Sequence, residues 1–107
     1  MRRGDLLTIA LQGDLGKHRP ALVIQSDLFA THPSVTVLPL TSALGYRPLF
    51  RITVLRSAEN GLREESQVMV DKPSAVPRER LGPVFGRVDD ETRLAVNRAL
   101  AVFLGLA

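Results

Sequence analysis

The strongest constraint on this chain is a rhythm. Short apolar, often β-branched runs recur at intervals of roughly 8–15 residues, each bounded by glycine, proline or asparagine. Asp5 to Leu11 is the first, short and set between Gly4 and Gly13. Pro20 opens the second, and Ala21 to Ile24 is continuously apolar. Val35 to Thr41 is the third, with Val35, Val37, Pro39 and Thr41 on one face. Pro39 marks an edge or a bulge. In Leu49 to Leu55, Phe50, Ile52 and Val54 face one way. Glu59-Asn60-Gly61 is a hairpin signal before the fifth run, Ser66 to Val70. There Val68 and Val70 point inward, and Gln67, Met69 and Asp71 outward. Prolines break residues 72–83, with one helical turn at Arg78 to Leu81, and Val84 to Val88 is a last short strand.

Only the C-terminal segment has the length and pattern of a helix. Asp89 caps it, Val88 sits at the staple position, Asp90 and Glu91 suit the first turn, and Gly105 stops it after Leu104. No helix separates the early strands, which disfavours a parallel βαβ design. A small, strongly curved antiparallel barrel with one packed helix is the expected fold, in one domain over residues 1–107.

Composition narrows the chemistry. The absence of cysteine removes disulfides, thiolate nucleophiles and thiolate metal sites, and His18 and His32 are the only imidazoles. No metal and no cofactor is therefore expected. No apolar stretch approaches membrane-spanning length, and Asp5 and Gln12 interrupt any secretory core, so a cytoplasmic protein is expected. The net charge of +3 resides in residues 1–60; residues 61–107 are balanced. Twelve of the fourteen basic residues are arginine, whose planar fork suits phosphate. This permits a nucleic-acid partner without requiring one.

The polar groups at strand ends carry the remaining signal. Lys17, His18 and Arg19 are consecutive beside the second strand, Thr41 and Ser42 end the third, and Gln67 and Asp71 belong to the fifth. Brought together, they make a concave surface of cations, hydroxyls and one carboxylate. Such a surface suits cleavage of RNA through its own 2′-hydroxyl, which needs a base, a cation on the nonbridging oxygens and an acid for the leaving oxygen. Each group also has a plainer reading: a solvated loop arginine, hydroxyls that end a strand through local backbone bonds, an aspartate that organises a turn. Glu64 and Glu65 read as a solvated turn, and Asp89-Asp90-Glu91 as helix capping.

Several blocks together resemble a known family. They are Arg3-Gly4-Asp5; Lys17 to Asp27, with its Arg19-Pro20-Ala21-Leu22-Val23 centre; Pro39-Leu40-Thr41-Ser42; Ser66 to Pro73; Pro77 to Leu81; and Gly86 to Glu91. In order and spacing they resemble the MazF/PemK family of toxin endoribonucleases from type II toxin–antitoxin pairs. The resemblance implies an SH3-like, CcdB/PemK-type β-barrel with a C-terminal helix. It implies a homodimer and metal-independent, sequence-specific cleavage of single-stranded mRNA to 2′,3′-cyclic phosphate and 5′-hydroxyl ends. Its implied partner is an antitoxin with an acidic, flexible C-terminal segment.

The family's arginine falls on Arg19 and its threonine on Thr41, which are the implied catalytic residues. His18 and Asp71 are the candidates for proton transfer. Lys17, Ser42, Gln67 and Arg47 are the candidates for RNA binding, and the loops at residues 12–19 and 43–48 are expected to set base preference. Some members carry a second arginine two residues before the aspartate. That position is Met69 here, so chemistry assigned to that arginine does not transfer. Three alternatives stand beside this reading: a toxin-fold protein that binds an antitoxin without cutting RNA, a gyrase-targeting CcdB-like protein, and a small nucleic-acid-binding barrel with a structural function.

Overall fold

A computed structural model describes residues 1–10 and 18–107. Seven strands appear in chain order: β1 (Asp5–Ala10), β2 (His18–Val23), β3 (Ser34–Thr41), β4 (Arg51–Val54), β5 (Ser66–Met69), β6 (Ser74–Pro77) and β7 (Leu81–Arg87). Helix α1 (Asp90–Phe103) follows. Single 3-10 turns lie at Asp27–Phe29 and Arg78–Arg80. No described helix is long and apolar enough to cross a membrane.

The sheet order is β4-β5-β3-β2-β1-β7, with β6 paired to β3 off this path, and the recorded ladders are antiparallel. This corrects the expectation of a closed, SH3-like barrel. Among the described residues no ladder joins the two end strands, β4 and β7, so the sheet stays open. A loop occupies the place where closure would occur. Arg87 N–H donates to Glu59 O at 3.0 Å, and Gly86 packs against the backbone of Asn60. The segment 55–65 thus takes up β7's outward hydrogen bonding at this point.

The continuous apolar runs have a physical reason: the central strands are covered on both faces. One face carries Leu6, Leu22, Leu38, Leu40, Val68 and Val70 under Val96, Ala99 and Leu100 of α1. The other gathers Leu7, Ile9, Ala21, Val23, Val35, Val37 and Val76. Period-2 alternation divides β1, β2 and β3 between the two clusters.

Helix α1 begins and ends where its sequence signals stand. The Asp89 carboxylate accepts from Thr92 N–H at 2.8 Å. The Thr92 side-chain hydrogen bond, and then its backbone one, hold the Asp89 carboxyl below its usual range. Gly105, at φ +74°, closes the helix: Leu106 N–H donates to Ala101 O and Gly105 N–H to Val102 O. Leu94, Val102 and Phe103 stay exposed along the helix. Arg3 ties the N-terminal segment to α1 through Asn97 Oδ1 at 2.7 Å, and burial, then repulsion from Arg93, hold its pKa below the ordinary arginine value.

Three further differences are local. Residues 74–77, expected to be irregular, form β6. Its Pro77 ends the strand, so its missing N–H does little harm to the ladder. The Asn60-Gly61 turn does not join β4 to β5 directly; it lies inside the longer connection 55–65. Gln67 is buried rather than outward, because the loop after β3 folds over its side of the ribbon.

Candidate functional site

Strand register brings the predicted residues together. In β1 and β2, Thr8 pairs with Pro20, Ile9 with Arg19 and Ala10 with His18. In β2 and β3, Ala21 pairs with Pro39 and Leu22 with Leu38. That ladder ends at Ala21 and Pro39; His18, Arg19 and Pro20 continue β2 beyond it, and Leu40 and Thr41 continue β3 at the same end. Thr41 in turn pairs with Gln67 of β5, and Gln67 with Thr53 of β4. Thr41 and Gln67 thus stand side by side, and Arg19 lies on β2, the strand on the other side of β3.

At this end of the sheet lies an open cleft of about 590 Å³. Its cationic and imidazole groups are His18, Arg19 and Arg63, its carboxylate is Glu64, and Thr8, Thr41, Ser42 and Ser66 contribute hydroxyl-bearing residues. Pro20, Leu40, Leu62 and Phe85 supply apolar wall. Arg19, His18 and Ser42 are exposed. Thr41 Oγ1 accepts Ala43 N–H at 3.1 Å, the strand-ending bond expected of a threonine here. That bond fixes the oxygen and leaves the hydroxyl proton to be donated elsewhere.

The wall opposite β2 comes from the 57–64 loop, organised by a buried asparagine. Asn60 Oδ1 accepts Ser57 N–H and Leu62 N–H, each at 3.0 Å, and Nδ2 donates to Leu55 O at 2.9 Å. Gly61 takes φ +65°, and its Cα lies so close to Phe85 that an added Cβ would stand 2.7 Å from Phe85 O. A Cβ on Gly86 would stand 2.1 Å from Asn60 O. Two glycine approaches thus seat the loop on β7 and set the position of Leu62, Arg63 and Glu64 in the cleft.

Of the predicted residues, His18, Arg19, Thr41 and Ser42 line the cleft. Lys17 lies outside the described residues. Asp71 is not in the lining. It lies in the turn after β5. Its Oδ1 is buried without a hydrogen-bond partner, and Oδ2 is 3.9 Å from Lys72 Nζ. Gln67 is 6% exposed and uses its amide on Gly45, so it does not present that amide to a ligand. Arg47 is exposed on the loop after β3, outside the cleft lining.

Sequence reasoning missed Thr8, Arg63, Glu64, Ser66 and Phe85. Thr8 carried a signal, as the one polar residue in the Leu6 to Ala10 run. Arg63 and Glu64 carried none, since only the seating of Asn60 and Gly61 on β7 brings them inward.

The cleft offers cations and hydroxyl donors for an anionic ligand, and an imidazole and a carboxylate able to move protons. The model of a family described as the PemK-like, MazF-like toxin of type II toxin–antitoxin systems matches residues 2–104. The chain is 44% identical over 108 residues to the probable endoribonuclease MazF of Mycolicibacterium smegmatis, covering all of this chain and 99% of that one. Its fold is similar to that of the Mycobacterium tuberculosis toxin MazF-mt6, with a TM-score of 0.82, 25% identity, and 96% and 98% of the two chains covered. A MazE–MazF crystal structure from Deinococcus radiodurans gives a TM-score of 0.82 at 22% identity, covering 100% of this chain and 98% of that one.

Proposed function

The chain belongs to the family of PemK-like, MazF-like toxins of type II toxin–antitoxin systems, and from that premise we propose that it is an endoribonuclease that cuts single-stranded RNA. The observation that carries the proposal is the open cleft that Arg19, at the start of β2, and Thr41, at the end of β3, line together.

The reaction is a transesterification. The 2′-oxygen attacks the adjacent phosphorus, the bond from phosphorus to the 5′-oxygen breaks, and the products are a 2′,3′-cyclic phosphate and a 5′-hydroxyl. The 2′-hydroxyl proton passes to a base, and the departing 5′-oxygen takes a proton from an acid. Arg19 holds the nonbridging oxygens as negative charge grows on them, and the Thr41 hydroxyl donates to the same phosphate. Among the described residues, His18 and Glu64 are the proton-transfer groups within the cleft. Asp71 stands away from it, which argues against a direct proton transfer from that residue. Ser42 and Arg63 contact the strand on either side, and Phe85 offers a face to an unstacked base.

The natural antagonist is an antitoxin whose acidic segment neutralises the cationic cleft. A similar fold has been solved as an endoribonuclease in complex with its cognate antitoxin from a mycobacterial species. The apolar residues left exposed on α1 support a homodimer, in which Leu94, Val102 and Phe103 are covered.

The test is incubation with mixed single-stranded RNA in excess EDTA, beside Arg19→Ala, with the fragment ends characterised. Discrete cuts bearing cyclic phosphates, slowed by orders of magnitude in the variant, are expected. A folded wild type that leaves RNA intact overturns the proposal and turns attention to a toxin-fold protein with a protein target.

A further inference from the structure

The loop between β3 and β4 is held at two points, and it presents one aromatic ring to solvent. Thr41 Oγ1 accepts Ala43 N–H where the loop begins. Two residues on, Gln67 grips Gly45 from both sides: its Oε1 accepts Gly45 N–H at 3.0 Å and its Nε2 donates to Gly45 O at 2.8 Å. Nε2 also lies 3.3 Å from Thr53 Oγ1, which steadies the amide from the next strand. A buried glutamine that gives both amide atoms to one loop residue fixes that residue's position and orientation. The next residue, Tyr46, is 93% exposed, and exposed Arg47 follows it. Among the described residues the ring packs into neither core cluster.

Its place relative to the cleft follows from the ladder. Gln67 pairs with Thr41, which lines the cleft with Arg19 and Ser42, and the loop runs on directly from Ser42. Adjacent strands are about 4.8 Å apart, so the backbone of Gln67 stands about one such step from that of Thr41 at the cleft. A single-stranded RNA whose phosphate sits between Arg19 and Thr41 therefore passes beside this loop with a neighbouring base. Unstacked bases are commonly received on aromatic faces, with arginine close by for the backbone.

We infer that Tyr46 stacks on an RNA base flanking the cleaved phosphate, and that Gln67 is the positioning residue that presents it. This rests on the ribonuclease reading above. It also gives the loop after β3 a concrete part in substrate choice, and it assigns Gln67 a role through Tyr46 rather than through direct contact with RNA.

The chain has one tyrosine and no tryptophan, so its intrinsic fluorescence reports Tyr46 alone. The experiment titrates the full chain with 2′-O-methyl oligoribonucleotides that match its mapped cleavage sites and resist cleavage. Binding is followed independently by the anisotropy of a fluorescein-labelled copy. Tyrosine emission is expected to be quenched with the same midpoint as the anisotropy change. Tyr46→Ala should weaken binding about 5- to 150-fold, and Tyr46→Phe should stay within about twofold of wild type. Gln67→Ala should raise KM for cleavage with kcat held, and should add nothing further in the Tyr46→Ala background. Tyr46 is exposed, so its variants leave the core intact and decide the matter even where Gln67→Ala fails to fold.

Full RNA binding with unchanged tyrosine emission overturns the stacking role and leaves the ribonuclease reading standing. A Gln67→Ala effect undiminished in the Tyr46→Ala background overturns the positioning role. Failure of the labelled oligonucleotides to bind overturns this inference alone, whereas the absence of any cleavage site to map overturns the ribonuclease reading beneath it.

Discussion

Replacing Asn60 with alanine tests the loop that builds one wall of the cleft. The side chain is 4% exposed and makes three backbone hydrogen bonds, to Ser57 N–H, Leu62 N–H and Leu55 O. Alanine leaves two donors and one acceptor without their partner. Each such bond is worth about 1 kcal/mol net, and more where water cannot take its place. Residues 55–59 are exposed, so water can reach Leu55 O and Ser57 N–H, which keeps the total near about 2–3 kcal/mol. Against a typical stability of about 5–15 kcal/mol, that is a large fraction.

Urea unfolding of wild type and Asn60→Ala measures it. With an m-value of about 1–2 kcal/mol/M, the midpoint should fall by about 1–3 M with m unchanged. Ser57→Ala removes only the hydroxyl that accepts Asn60 N–H, so it should cost about 1 kcal/mol. A loss below about 0.5 kcal/mol for Asn60→Ala would show that the asparagine does not carry the loop, and the account of the cleft wall would fall with it.

Three other perturbations have definite outcomes. Gly86→Ala forces a Cβ to within 2.1 Å of Asn60 O, a backbone atom, so thermal or urea unfolding should show a loss of about 1–3 kcal/mol. Combined with Asn60→Ala it should cost less than the two changes separately, because both disturb one loop. Asp5→Ala removes the partner of Arg87 Nη1 at 2.7 Å and of Arg2 N–H at 2.7 Å. Arg87 is about a third exposed and can return to water, so the expected loss in a urea titration is about 1–3 kcal/mol rather than the full cost of a stranded buried charge. The Asp89 carboxyl titrates below its usual value near 3.8, so its stabilisation is present above that value and is lost as pH falls through the lower folded one. Melting temperatures from pH 6 to pH 2 should therefore fall more steeply at the acid end for wild type than for Asp89→Asn; equal slopes would refute the linkage.

Much of the fold was legible because local signals and tertiary packing agree. Asp89, Val88 and Gly105 frame α1 where they should, and the apolar runs at β1, β2 and β3 lie in the two-sided core. What escaped was set by contacts distant in sequence. Period 2 correctly put Gln67 on the face away from Val68, but only the folded loop at Gly45 makes that face an interior. The prolines at 73 and 77 suggested broken structure, yet an edge partner on β3 accepts β6. Closure of the barrel was inferred from many short strands, a count that cannot reveal that residues 55–65 fill the gap beside β7. Arg19, His18, Thr41 and Ser42 could be singled out because each stands at the end of an apolar run legible as a strand, and those ends meet at the cleft. Glu64 was missed because no strand carries it.

The pairing of β1 with β7 joins residues more than half the chain apart, as Asp5 opposite Arg87 shows. Such a pairing cannot form during synthesis until the last strand has left the ribosome, and distant pairings of this kind form late. The cleft inherits this timing, since its lining runs from Thr8 to Phe85 and its loop wall rests on Gly86. A nascent or prematurely ended chain that lacks β7 has Arg19 and Thr41 but no complete groove around them. Completion of the groove is thus deferred until β7 has been made, by the order of the strands themselves.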